Sequence, residues 1–185
     1  MKNIALLAIA GLAAGAAAQG VTLTFSADAS SVNVGDTVSW TVSASFTGFS
    51  DPTAYYGGFV GSFDASDNGL GMAGNFMNMM NGEGTPQAAN GASVTALNIF
   101  NAALLGSNDP SNPIDIFSFD VVTGAQGVLS YGQTGVHSVF PDDGIFSLAQ
   151  EFVGTAVSDS VSIVPAPGVA ALLGLGGLVA TRRRR

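Results

Sequence analysis

Few residues in this chain could do chemistry, and their spacing limits what that chemistry could be. His137 is the single histidine, and none of the 185 residues is a cysteine. Nucleophilic catalysis of the Ser-His-Asp kind needs a base beside its nucleophile. No Gly-x-Ser-x-Gly turn is present, and Gly135-Val136-His137-Ser138 reads as strand or loop. One imidazole with no thiolate cannot assemble a histidine-rich or cysteine-rich zinc site. Glycoside hydrolysis asks for two facing carboxylates with one pKa raised. Glu83 lies in a Gly-rich segment and Glu151 in an expected strand, and nothing in their spacing pairs them. Neither a phosphate loop nor a dinucleotide fingerprint occurs.

Calcium is the one ligand that the spacing suggests. Asp64-Ala65-Ser66-Asp67-Asn68-Gly69 places side-chain oxygens at positions 1, 3 and 5 and glycine at 6, as an EF-hand loop does. Asp64, Ser66 and Asn68 are the candidate ligands. Position 12 is Asn75 where a bidentate glutamate belongs, and Asp and Asn also make turns with no ion present. Asn108 to Asn112 and Asp142-Asp143-Gly144 are further acidic turns. No other cofactor is expected.

The elements that would position these residues are strands. Val38, Trp40, Val42, Ala44 and Phe46 alternate with Ser39, Thr41, Ser43 and Ser45, which predicts one buried and one hydroxylated face. Val21, Leu23 and Phe25 alternate likewise, and Asn33-Val34-Gly35-Asp36 is a turn signal. Residues 54–65, with Tyr55, Tyr56, Phe59, Val60 and Phe63 among glycines, fit a strand with a bulge. Residues 114–122 form another aromatic run, with 126–131 expected as its hairpin partner across Thr123-Gly124-Ala125. Stretches 136–140, 144–152 and 157–163 supply more strands. Residues 67–91 read as a long Gly/Asn-rich loop carrying Met72, Met77, Met79 and Met80, with helical turns expected over 73–80 and 102–105. Those methionines fit either a contact patch or a plug at the end of the core. The expected fold is all-β: an antiparallel β-sandwich, Ig-like or cohesin-like, flanked by an N-terminal signal helix and a C-terminal membrane helix.

Charge divides the chain. Its five basic residues are Lys2 and Arg182 to Arg185, whereas all 13 acidic residues lie between Asp28 and Asp159. The net charge of −8 therefore conceals a body with no lysine or arginine. Such a body cannot neutralise phosphates, which excludes nucleic acid as a partner. Without disulfides, it must be stabilised by apolar burial, for which residues 19–163 suffice.

Both ends read as export signals. Lys2, the apolar run Ile4 to Ala18 and the small residues Ala16 and Ala18 form a leader ending in an A-x-A site, so residues 1–18 are a signal peptide. Val164, Pro165, Ala166 and Pro167 precede an uncharged apolar stretch that ends in Arg182, Arg183, Arg184 and Arg185. The 18 residues from Val164 to Thr181 are at the short end of what spans a bilayer, and the arginines act as a cytoplasmic stop.

This motif, apolar segment and Arg cluster over residues 164–185 resemble a PEP-CTERM sorting signal, with Ala166 where the family has Glu. The resemblance implies secretion and processing near Pro165 to Pro167 by an exosortase-type membrane protease. It also implies a place at the outer surface or in the matrix of a Gram-negative bacterium. An uncut membrane anchor is the alternative. The body, through residues 32–38, 116–122 and 127–130, is similar to cohesin-like and carbohydrate-binding sandwich modules. The expected role is structural or adhesive, without enzymatic activity, with extracellular polysaccharide as a candidate partner. A carbohydrate-binding module stacking sugars on Tyr55, Tyr56 and Tyr131 is the alternative, and a secreted hydrolase the second.

Overall fold

The computed structural model describes residues 18–80, 87–101, 109–142, 147–166 and Gly168. The expected signal and membrane helices, Ala16, Glu83, residues 102–105, Pro167 and Arg182 to Arg185 lie outside them. Among the described residues no helix is long and apolar enough to cross a membrane.

Thirteen strands are described: β1 (Gly20–Ala27), β2 (Ser31–Asn33), β3 (Thr37–Thr47), β4 (Tyr55–Ala65), β5 (Gly71–Asn78), β6 (Ala88–Asn90), β7 (Ser93–Phe100), β8 (Ile114–Thr123), β9 (Gly127–Leu129), β10 (Tyr131–Phe140), β11 (Gln150–Phe152), β12 (Thr155–Ser158) and β13 (Val161–Val164). They form a front sheet in the order β12-β1-β3-β8-β5, a back sheet β11-β10-β4-β7-β6 and a small third sheet β2-β13-β9. The pairing is mainly antiparallel, as expected, but β1 with β12 and β2 with β13 run parallel.

The alternation in β3 becomes one face of the core. Val38, Trp40, Val42 and Ala44 are fully buried, and the intervening hydroxyls face outward between the hydroxylated face of β1 and Asp115, Ser118 and Asp120 of β8. Phe25, Phe63, Phe119, Trp40 and Tyr131 meet between the sheets. Phe25 meets Phe63 edge-on at 5.1 Å, and Tyr131 receives Trp40 at 4.8 Å and Phe119 at 5.2 Å. Burial of each such ring contributes about 2 to 3 kcal/mol, so this cluster clamps the two sheets together.

Several expectations need correction. Residues 71–78 are not a loop or a helical turn but strand β5, which pairs with β8. Its register breaks between Gly74 and Met77, where Asn75 has φ 51°, and that bulge hides the period of two. Residues 127–129 do not return along β8. They pair with β13, while β8 lies between β3 and β5. The run 157–163 is two strands in different sheets, broken at the exposed Asp159, whose carboxylate accepts a bond from the Ala27 amide (3.0 Å). Strand β7 was not expected at all; its alternation fails at Ala96, whose φ is 55°.

Candidate functional site

The chemistry-bearing side chains do not converge. Asp64 is the penultimate residue of β4 and accepts a bond from the Ser62 hydroxyl at 2.8 Å. Ser66 donates to the carbonyl of Val128 (3.0 Å) and accepts from the Ser130 amide (3.2 Å), locking β4 to the start of β10. Asn68 takes the hydroxyl of Ser93. The three calcium candidates are thus engaged in separate bonds. Among the described residues, no three His, Cys, Asp or Glu side chains group as a metal cluster.

A hollow of about 500 Å³ near one end of the sandwich carries Asp109 and Asp115 beside Met79, Met80 and Asn101. The hydroxyl and amide of Ser111 hold the Asp109 carboxyl below its ordinary pKa. Hydrogen bonds from Ser39 and Asn75 do the same for Asp120, and bonds from Thr53 for Asp51. A general acid needs the opposite shift. Glu151 is exposed on β11, opposite Ser138.

His137 lies in β10 with no exposed surface. Its Nδ1 is 2.7 Å from the hydroxyl of Tyr56, a phenol whose pKa burial raises well above its usual value. Desolvation pushes the imidazole down to about 4. Its Nε2 has no partner among the described residues. With neither nucleophile nor access to solvent, this pair belongs to the core.

The three tyrosines expected to stack on sugars are also core residues, which corrects that reading. Tyr56 holds His137. Tyr131 donates to the carbonyl of Ala92 at 2.7 Å, and Tyr55 stacks on Phe140 at 4.8 Å. All three are buried. Of the four methionines, Met80 is buried, but Met72, Met77 and Met79 are exposed. The end-plug reading therefore holds for Met80 alone.

The back sheet presents a surface suited to docking. On β4 and β10, Val60 and Val136 stand directly opposite each other, 57% and 40% exposed. Asn98 continues this row on β7, and in the next row Ser138, Gly58 and Phe100 are paired, with the Phe100 ring exposed. The neighbouring row holds Thr134 opposite Ser62. The face is therefore apolar at its centre and hydroxylated at its margin, with Asp64 and Glu151 at its edges. Sequence reasoning missed it, although Phe59-Val60 contained the signal: neighbouring residues on a strand point to opposite faces, so one of the two must face outward.

No protein-family model matches the chain, and no curated protein matches it. Solved structures do. The seventh ScaB type I cohesin of Pseudobacteroides cellulosolvens aligns with a TM-score of 0.55 at 13% identity, covering 80% of this chain and 94% of that one. A cohesin module from a family 33 glycoside hydrolase of Clostridium perfringens gives 0.54 at 12% identity, with 80% and 100% covered. The cohesin–dockerin complex Coh-OlpC-Doc435 of Clostridium thermocellum gives 0.52 at 9% identity, with 80% and 95% covered. At these identities the likeness establishes the fold: a cohesin-like β-sandwich.

Proposed function

We propose that the chain is an exported surface or matrix protein of a Gram-negative bacterium, acting as a non-catalytic docking module with a structural or adhesive role. The apolar pair Val60 and Val136 on the back sheet carries this reading. Two valines exposed side by side at the centre of a sheet, ringed by hydroxyls, are what a protein interface buries. The C. thermocellum neighbour is a cohesin–dockerin complex, so a module of this fold binds a protein partner in that case.

Export rests on the two termini. In this reading the leader is removed after Ala18, and an exosortase-type protease cuts near Pro165 to Pro167. Until then the apolar segment and Arg182 to Arg185 hold the protein in the membrane. Support comes from the strands that flank these points. Gly20 opens β1, and Val164 closes β13, its carbonyl accepting from the Val34 amide at 2.9 Å. Both cuts would leave the sandwich whole.

The test is retention in the matrix of the producing bacterium, for the native chain and for a Val60→Asp/Val136→Asp variant. A protein-docking module predicts at least a tenfold drop for the variant, and loss of native retention after protease treatment of the matrix. Equal retention of both chains, with release by glycosidases instead, would sink the reading.

A further inference from the structure

We propose that the segment β11–β12 is a strap that acid releases, held shut over the neutral imidazole of His137. β11 is the edge of the back sheet and β12 the edge of the front sheet, on the same side of the sandwich. The link between them, Val153-Gly154, passes directly over the histidine. A Cβ on Gly154 would lie 2.5 Å from Nε2 and 3.1 Å from the carbonyl oxygen of Val21, so only glycine fits this crossing. Gln133 fastens the link by donating to the Gly154 carbonyl at 2.7 Å.

Elsewhere the strap is held by short pairings, by the Phe152 ring against Phe49 at 5.9 Å and by the Ser158 hydroxyl, which accepts from the Tyr131 amide at 2.9 Å. β11 pairs with β10 at three positions and β12 with β1 at four. Val153 is 86% exposed, and Val157 is largely exposed as well. Short edge strands with little buried apolar surface open before the core does.

Protonation strikes this point. The groups around the ring are Tyr56 and Phe59 from β4, Phe152 from β11 and Gly154 from the link. Tyr56 is the titratable one. The carboxylate of β11, Glu151, pairs opposite Ser138 and is exposed, not turned to the ring. Among the described residues no anion therefore faces the imidazole, and an Nε2–H donor has no acceptor. An imidazolium here is a buried unpaired charge, and lifting the strap is the shortest route to water. The body has no Lys or Arg, so His137 is its sole side chain that becomes a cation on acidification.

The closed state binds the proton more weakly than the open one. The closed-to-open ratio therefore falls as pH drops below 6.5, by roughly tenfold per unit, and levels off near 4. Release would uncover the edges of β1 and β10, which favours strand pairing with another chain.

Hydrogen exchange of the full-length chain from pH 7 to 3, corrected for intrinsic exchange rates, reads this directly. Amides of 150–158 should lose protection between pH 6.5 and 4 while β3 and β8 keep theirs. In His137→Phe the strap should stay protected. Identical loss in both proteins, or loss in β3 and β8 at the same pH, would overturn the proposal. NMR titration of the ring gives a readout that needs no variant, because one histidine gives one signal. Titration of that ring while the strap amides remain protected would overturn the proposal too.

Discussion

Tyr56 and His137 pair through Nδ1 inside a core built mainly of hydrocarbon and aromatic rings. Their bond at 2.7 Å pairs one buried polar group with another. In Tyr56→Phe, Nδ1 loses its partner without any gain in packing, so unfolding stability should fall by about 1 to 3 kcal/mol. Urea denaturation at pH 7 checks this; an unchanged midpoint would contradict the bond. The same histidine sets a pH limb. Its folded pKa of about 4 lies below the unfolded 6.5, so its contribution is complete above 6.5 and is lost as pH falls towards 4. Asp51, Asp109 and Asp120 behave differently. Hydrogen bonds hold them below 3.8, so their contribution persists above 3.8 and disappears at lower pH. Melting midpoints should therefore fall in two separable stages, and His137→Phe should remove the upper one alone.

At the scale of strands, packing is tightest where Phe59 lies across the facing glycines Gly61 and Gly135. A Cβ on Gly135 would sit 2.3 Å from the Val60 carbonyl oxygen and 2.7 Å from the Phe59 ring. Gly135→Ala should cost about 1 to 3 kcal/mol by overpacking, whereas Val60→Asp, one residue away but outward-facing, should stay within about 0.5 kcal/mol of the native protein. Thermal melts of the two variants would separate an inward from an outward residue. Strands β1, β3 and β4 were legible in the sequence because their alternation runs unbroken or bends once beside glycine. β5 and β7 were not, since Asn75 and Ala96 take positive φ and break the period of two. Partner choice was illegible for a different reason. Residues 114–122 and 127–129 look like a hairpin, yet β8 is already flanked by β3 and β5, which leaves β9 to pair with β13. Alternation reports which face is buried, not which neighbour is adjacent. The exposed valine pair stayed hidden for a related reason: Val60 and Val136 look like core valines until the sheet shows which way each points.

Taken whole, the body carries 13 carboxylates and no lysine or arginine, so its charges can only repel one another. Added salt should raise its melting midpoint steadily from low ionic strength to about 0.5 M, the range over which screening tightens. A midpoint that fell with salt would mean attractive charge pairs that this sequence cannot form. An acidic sandwich without internal cations suits an exported protein in a salty medium. In the proposed reading the two termini carry the membrane traffic, and all five Lys and Arg residues are placed there. The docking face, the strap and the acidic surface all act outside the cell in this account, so export is the claim beneath them. Mass spectrometry of the two ends of the native protein, recovered from the producing bacterium, tests it most directly. The account predicts an N-terminus at Gln19 or Gly20 and a C-terminus between Pro165 and Pro167. Recovery of the intact chain from Met1 to Arg185 in the soluble cytosol would contradict it.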